Sequence, residues 1–146
     1  MMKTVQQILQ TKGTNIWSIS PDAPIYDGLK LMADKNAGAL LVLEAGQLVG
    51  IISERDYARK VVLQGKSATD TPIKEIMTSR VVCVYPKQTV EECMQLMTDN
   101  RVRHLPVLVE GGQQVIGVVS IGDIVKAIIS QQEFMIEQLQ SYIVGG

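Results

Sequence analysis

Gly50-Ile51-Ile52-Ser53-Glu54-Arg55-Asp56 recurs later in the chain as Gly117-Val118-Val119-Ser120-Ile121-Gly122-Asp123. Each copy has a glycine, two β-branched residues, a serine and, three residues after the serine, an aspartate. β-Branched residues favour strands, and a serine followed three residues later by an acidic side chain is typical of a capped helix start. The pattern therefore predicts two strand-to-helix junctions of the same design.

The two junctions belong to a longer internal repeat. A shift of 65 positions aligns seven identical pairs, beginning with Pro21 and Pro86. Two extra residues in the turn 110–113 change the shift to 67, which aligns four more pairs, including the serines and aspartates of the pattern. Repetition of this kind predicts one structural unit used twice. We place the first copy at 14–64, a linker with a short helix at 65–79, the second copy at 80–130 and a C-terminal helix at 131–146.

Each copy predicts the order strand, helix, strand, strand, helix. The second copy has a capping box, because Thr89 is followed three residues later by Glu92. The fold class is therefore α/β (α+β), with two tandem β-α-β-β-α units about an approximate two-fold axis and extra helices at 4–11 and 131–144. A copy of about fifty residues buries too little surface to fold alone, so the copies should pack together. The predicted strands are 16–19, 40–43, 48–52, 81–84, 105–109 and 115–120.

Composition excludes several classes of protein. The 146 residues are 46% hydrophobic and 20% charged, with a net charge of −1, which gives no basic field for nucleic acid or a membrane surface. Apolar runs are too short for a membrane span, and the first residues do not form a signal peptide. One histidine and two cysteines give neither a metal cluster nor a disulfide framework. We expect a cytoplasmic protein, or one of an organelle matrix, that is not an enzyme.

The aspartate at each junction has two interpretations. A helix N-terminus presents free N–H groups and a partial positive charge, which suits anionic groups. A carboxylate beside it can accept hydrogen bonds from the vicinal hydroxyls of a ribose, and the serine hydroxyl can orient the sugar or phosphate. The plainer interpretation is that Ser-x-x-Asp only caps the helix, which would leave a structural dimerisation module. Both interpretations stay open on the pattern alone.

The repeated order of elements, closed by Gly-h-h-Ser-x-x-Asp (h, hydrophobic), resembles the cystathionine-β-synthase (CBS) domain. Two tandem copies resemble the CBS pair, or Bateman module, over about residues 14–130. The resemblance implies clefts that bind an adenosine-containing ligand such as AMP, ADP, ATP, NAD(H) or S-adenosylmethionine, and no catalytic cofactor. It also implies a stand-alone sensor that signals cellular energy or redox state to a partner protein.

The resemblance implies a role for particular positions as well. Asp56 and Asp123 would bind ribose, and basic side chains would meet phosphates. The adenine would lie against the first strand, and the start of the second strand, of the opposite copy. The candidate ligand-binding residues are Ile16, Trp17, Ile19, Gly38, Ala39, Leu40, Ser53, Arg55, Asp56, Arg103, His104, Pro106, Ser120, Gly122 and Asp123.

We expect the cleft at Asp123 to be the better of the two sites. It would face the small residues Gly38 and Ala39, and Gly122 would let a sugar approach the helix start closely. The other cleft is expected to be narrower, because the bulkier Arg103 and His104 stand where the first copy has a glycine and an alanine.

Other residues receive plainer roles. Trp17 is expected to pack in the core, with an adenine contact as the alternative. Cys83 and Cys93 are expected to be small buried hydrophobic residues rather than redox centres. The expected partners are an adenine nucleotide, a second copy of the chain and an unidentified regulated protein, with no nucleic acid and no membrane. The homodimer is expected to bury apolar helix faces, including Phe134, Leu139 and Ile143.

Overall fold

The computed structural model describes residues 3–144. These residues fall into two compact units, which we call the first-copy unit (15–81 and 111–116) and the second-copy unit (3–14, 82–110 and 117–144). The elements in chain order are α1 (Val5–Lys12), β1 (Ser18–Ile19), α2 (Ile25–Lys35), β2 (Ala39–Glu44), β3 (Gln47–Ser53), α3 (Glu54–Tyr57) continued by a π-helix (Ala58–Val62), a 3-10 helix (Ile73–Glu75), α4 (Val90–Asn100), β4 (His104–Leu108), β5 (Val115–Ser120) and α5 (Ile121–Val144).

The first-copy unit is built on a three-stranded sheet in the order β1-β2-β3. Strand β1 runs parallel to β2, and β2 runs antiparallel to β3 with Ala39 opposite Ser53. Alternate residues of a strand share a face, so Leu40, Val42 and Ile52 point into one core. The core also takes Ile25 from α2. This packing fixes the end of β3, where the first aspartate junction begins.

The second-copy unit contains α1 as well as the second repeat. Helix α1 is capped at Thr4 by a capping box, and its range agrees closely with the helix predicted at 4–11. Its first N–H groups, on Val5 and Gln6, donate to the carbonyls of Gln88 and Pro86 at 2.9 and 3.0 Å. The N-terminal helix is thereby anchored beside α4, whose own capping box at Thr89 and Glu92 confirms the sequence prediction.

The predicted strand at 81–84 is wrong. It is reduced to one parallel bridge between Val84 and Val107. Val84 donates to the Pro106 carbonyl and accepts from Leu108, both at 2.9 Å. The next bond of a parallel ladder would need an N–H on residue 106, and proline has none. Pro106 therefore stops the ladder after one bridge.

Two further predictions need correction. Strand β1 spans two residues instead of the expected 16–19, although the Trp17 carbonyl still accepts from the Leu41 N–H of β2 at 3.1 Å. Trp17 is 37% exposed and is not a core residue; the Lys35 ammonium lies 4.6 Å from its ring centroid, a cation–π contact.

The last helix is continuous through the boundary predicted at residue 130. Helix α5 runs from Ile121 to Val144, and its first part buries Ile124 and Ala127. Its later part leaves many large apolar side chains about half exposed or more: Ile129, Phe134, Met135, Ile136, Leu139, Tyr142, Ile143 and Val144. Within residues 3–144, no helix is both long enough and apolar enough to cross a membrane.

Candidate functional site

The first junction forms a closed Ser–Asp cycle. The Ser53 N–H and hydroxyl donate to Asp56 Oδ2 at 2.9 and 3.1 Å, and the Asp56 N–H donates back to Ser53 Oγ at 3.2 Å. Lys60, one turn further along, lies 3.3 Å from the other oxygen, Oδ1. The side chain of Asp56 keeps 17% of its surface exposed. The carboxylate is thus held rigidly at the helix start and still reaches solvent.

The second junction repeats this cycle almost bond for bond. The Ser120 N–H and hydroxyl donate to Asp123 Oδ2 at 2.8 and 3.0 Å, and the Asp123 N–H donates to Ser120 Oγ at 3.3 Å. The cation comes from elsewhere in the sequence, because Lys12 Nζ donates to Oδ2 at 2.7 Å and to the Val118 carbonyl at 2.9 Å. Asp123 also keeps 17% of its side chain exposed. The capping interpretation is therefore realised in both copies, and it leaves both carboxylates accessible.

The charge of Asp123 is stabilised by its neighbours. Burial by itself would raise the pKa of this carboxyl, but the Lys12 ammonium and the hydrogen bonds from Ser120 outweigh it and hold the pKa below its ordinary value. Asp123 therefore stays ionised at neutral pH. An ionised carboxylate only accepts hydrogen bonds, as a partner for sugar hydroxyls must.

The glycine of each junction is explained by packing. A Cβ on Gly117 would lie 2.7 Å from Cδ2 of Leu9, which belongs to α1. A Cβ on Gly50 would lie 2.5 Å from Sδ of Met77 and 3.1 Å from the Thr78 carbonyl. Each glycine thus makes room for a segment that precedes a repeat. Gly122 differs, because a Cβ there would meet no atom closer than 3.7 Å.

Sequence reasoning missed Lys12, which lies 111 positions from Asp123. A weak signal was present: the apolar spacing of Val5, Ile8 and Leu9 recurs at Ile73, Ile76 and Met77. This recurrence makes α1 and the segment around the 3-10 helix equivalent, and each packs on the glycine of one junction. On the same alignment Lys12 corresponds to Arg80. The spacing alone does not say which carboxylate either cation meets.

The predicted site residues divide between the two units. The second-copy unit holds Arg103, His104, Pro106, Ser120, Gly122 and Asp123, while the first-copy unit holds Ile16, Trp17, Ile19, Gly38, Ala39, Leu40, Ser53, Arg55 and Asp56.

Inside each unit, one backbone bond joins the junction to the start of the neighbouring strand. Glu54 N–H donates to the Gly38 carbonyl at 3.1 Å, and Ile121 N–H to the Arg103 carbonyl at 2.8 Å. Leu40 and Pro106 are buried, whereas Arg55 and Arg103 are exposed. The expected pairing of Asp123 with Gly38 and Ala39 stays a prediction.

Other chemistries find little support among the described residues. In 3–144, no three His, Cys, Asp or Glu side chains are grouped as a metal site would require. Cys93 is fully buried, and burial together with Glu92 and Glu91 raises its pKa to about 11. Burial also raises the pKa of Cys83. Thiols with raised pKa values are poor nucleophiles at neutral pH. Cys93 is buried as expected, whereas Cys83 is only partly buried.

Comparison with known protein families matches the CBS domain twice, at residues 5–63 and 73–130. The chain belongs to the CBS-domain family. Each matched range begins with a segment that packs on a junction glycine. The first range begins with α1, and the second begins with the 3-10 helix. The mixed α/β fold of two tandem CBS repeats that the sequence predicted is therefore confirmed.

Relatives of this CBS pair share most of its length. A mitochondrial CBS domain-containing protein of Arabidopsis thaliana, CBSX3, is 40% identical over 98% of this chain and 73% of its own. A solved CBS-domain protein from Burkholderia ambifaria is 50% identical, covering 89% of this chain and 96% of its own with a TM-score of 0.85. The CBS pair of MJ0100, solved with 5′-methylthioadenosine and S-adenosylmethionine, is 25% identical, covering 90% and 99% with a TM-score of 0.79.

Proposed function

We propose that this CBS pair is a non-catalytic regulatory module that binds an adenosine-containing ligand and signals to a partner protein whether the ligand is bound. The observation that carries the proposal is the pair of Ser-held aspartates, Asp56 and Asp123, each 17% exposed at a helix start. A carboxylate held in this way can accept the vicinal hydroxyls of a ribose without reorganising its own position. Adenosine ligands in the CBS pair of MJ0100 support the same class of ligand here.

The ligands we propose are AMP, ADP, ATP and NAD(H). The exposed cations near the junctions, such as Arg55 and Arg103, suit phosphate recognition because a guanidinium binds phosphate oxygens in pairs. Guanine and pyrimidine nucleotides are expected to bind more weakly. A role as a sensor of energy or redox state, in the cytoplasm or an organelle matrix, fits this ligand class, and the mitochondrial relative supports the second location.

A structural module whose junctions act only as helix caps is the competing function. It is supported by the Ser–Asp hydrogen-bond cycles, which are complete without a ligand. The two functions differ in one measurable property. A ligand that binds the native state raises the midpoint of thermal unfolding, whereas a pure cap responds to no nucleotide.

The deciding experiment is calorimetric titration with AMP, ATP, NAD and GTP on the native protein and on Asp123→Ala and Asp56→Ala. We expect saturable binding of the adenine ligands. Asp123→Ala should lose about 1–3 kcal/mol of the binding free energy, which is the scale of a charge-assisted hydrogen bond. Asp56→Ala is expected to lose less. Absence of binding by every nucleotide would favour the capping function, equal affinity for GTP and ATP would contradict the adenine preference, and a larger loss at Asp56 would reverse the ranking of the sites.

We also propose a homodimer as the working assembly. The support is the half-exposed apolar side of α5, which a second copy could cover by two-fold pairing.

A further inference from the structure

The part of α5 beyond the second repeat is a helix that no other element of the described chain covers. Residues 132–144 are all exposed, although they continue the helix that begins at Ile121. Among residues 3–144, no ion pair involves this stretch. A helix of this length is marginal in water by itself, and most helices are stabilised by packing of an apolar face. A second element that covers the stretch would therefore stabilise it.

The exposed apolar side chains of α5 follow the heptad of a coiled coil. Alternating steps of four and three residues keep side chains on one side of a helix, at the heptad positions named a and d. These positions, which we call the seam, are Ile129, Ile136 and Ile143 at a, and Val125, Gln132 and Leu139 at d. All six side chains are exposed. A seam of this spacing is matched by a second helix with the same spacing, because the side chains of each helix fill the holes of the other.

The seam lies apart from the side of α5 that packs on its own unit. Ile124 and Ala127 are the buried residues of this helix. At about 100° per residue, both lie a quarter turn or more from the centre of the seam, and Phe134 lies on the opposite side. A second copy can therefore reach the seam while α5 stays packed on its own repeat. The expected burial of Phe134 is not part of this arrangement.

The exposed surface along the seam has the size that a stable dimer needs. Its isoleucines and its leucine are 50% to 77% exposed, and the flanking Met135 and Tyr142 are also half exposed or more. With roughly 200 Å² for a fully exposed large side chain, the seam and these two neighbours offer about 800 Å² per copy. Each partner of a standard interface contributes about the same area. A second copy of α5 is thus a sufficient occupant.

Gln132 decides the orientation of the pair. In an antiparallel coiled coil, d positions face the a positions of the other helix, so Gln132 would face an isoleucine and bury an amide without a hydrogen-bond partner. In a parallel pair in register, Gln132 faces its own counterpart, and each amide offers a donor and an acceptor to the other. Isoleucine at a with leucine at d is also the pattern that favours two parallel strands.

We propose that α5 pairs with α5 of a second copy through the seam, as a parallel two-stranded coiled coil in register. The inference rests on the homodimer of the proposed function and gives that dimer its geometry. Asp123 stands in the first turn of α5, so both Asp123 junctions lie at the same end of the coil. The dimer presents these two proposed ligand sites side by side to a regulated partner.

Disulfide cross-linking of the full chain tests the orientation. The variants are Leu139→Cys in the seam and Phe134→Cys, a matched control because Phe134 is also apolar and about half exposed. Residues at one d position face each other in a parallel pair, within the ~4.4–6.8 Å between Cα atoms that a disulfide spans. Oxidation with diamide should convert most of Leu139→Cys into a covalent dimer on a non-reducing gel. Phe134→Cys and the native chain, which keeps Cys83 and Cys93, should remain mostly monomeric on that gel.

Two glutamine substitutions test the role of Gln132. Gln132→Leu should tighten the dimer in analytical ultracentrifugation, because the amide is removed from the interface. It should also lower the yield of the Leu139→Cys cross-link, since antiparallel pairing no longer buries an unpaired amide. Gln138→Leu, which is exposed and lies outside the seam, should change neither quantity.

The outcomes separate this geometry from the proposals on which it rests. A dimer in which Leu139→Cys does not cross-link, an equal yield from Phe134→Cys, or a Gln132→Leu that behaves as Gln138→Leu overturns the parallel seam and leaves the homodimer standing. If Leu139→Cys is monomeric in light scattering under reducing conditions, Ile136→Cys replaces it at the neighbouring a position. A native chain that is monomeric at micromolar concentration overturns the homodimer and the coiled coil together, while nucleotide titration still decides the binding function.

Discussion

Gly117 and Gly122 stand in the same seven-residue motif and meet different surroundings. The site of a Cβ on Gly117 is occupied by the buried side chain of Leu9, while that on Gly122 is open. A glycine that the fold does not require, next to a carboxylate proposed to bind ribose, is available for close approach of a ligand. The two positions therefore separate the structural part of the motif from the part proposed to bind.

Matched alanine substitutions test this separation. Gly117→Ala should lower the free energy of unfolding by about 1–3 kcal/mol, because the added methyl overpacks against Leu9. Gly122→Ala should leave stability unchanged or raise it by up to about 1 kcal/mol, since alanine favours a helix, while it weakens nucleotide binding. Chemical denaturation and calorimetry measure both quantities. A destabilised Gly122→Ala, or a Gly117→Ala as stable as the native chain, would contradict this assignment.

At the scale of elements, α2 and α4 are equivalent helices with different starts. Helix α4 is capped by Thr89, whose hydroxyl accepts from the Glu92 N–H at 3.1 Å, whereas α2 begins at Pro24 without a side-chain cap. The extra cap matters because the bridge between Thr4 and Thr89 brings the N-terminal segment against the same helix start. The start of α4 thus supports α1, and through α1 the position of Lys12.

Two threonines of α4 test the value of this cap. Thr89→Ala should lower the free energy of unfolding by about 1 kcal/mol, because the N–H of Glu92 loses its acceptor. Thr98→Ala is the control, since Thr98 is exposed on the same helix and its hydroxyl donates to the Met94 carbonyl. Alanine favours the helix interior, so this change should be neutral or slightly stabilising. Equal losses at the two positions in urea denaturation would show that the cap contributes nothing particular.

At the scale of the whole molecule, the apolar side of α5 leaves large hydrophobic side chains exposed to water. A row of half-exposed Ile, Leu, Met and Tyr side chains is costly to leave in water, and pairing with a second copy would remove it. The proposed homodimer therefore depends on the part of α5 beyond the second repeat. A regulatory module of this kind would present its ligand sites from a paired scaffold.

Substitutions on α5 test the dimer. Light scattering at micromolar concentration should give a dimer for the native chain and a monomer for Ile136→Glu, because a charge would be buried in the interface. Gln138→Glu, an exposed change two residues away, should remain dimeric. A native monomer, a native hexamer or an unaffected Ile136→Glu would each contradict pairing through this face.

The sequence by itself determined the repeat, the order of its elements and the two capped junctions. These features are local: a β-branched strand, a serine and an aspartate three residues apart settle their own geometry through short-range hydrogen bonds. Helix α4 and its capping box followed for the same reason. The strand predicted at 81–84 does not form and marks the limit of local reasoning, because Pro106 in the neighbouring strand stops the ladder after one bridge.

Only the tertiary structure decided what surrounds those junctions. Lys12 reaches Asp123 across 111 positions, and Leu9 explains Gly117 from the far end of the chain. Such contacts arise from the docking of α1 beside α4, and no spacing in the sequence encodes the partner of a side chain that distant. The sequence therefore predicted where both carboxylates lie, and Lys60 pairs with Asp56 at a local i,i+4 spacing, whereas only packing brought Lys12 to Asp123.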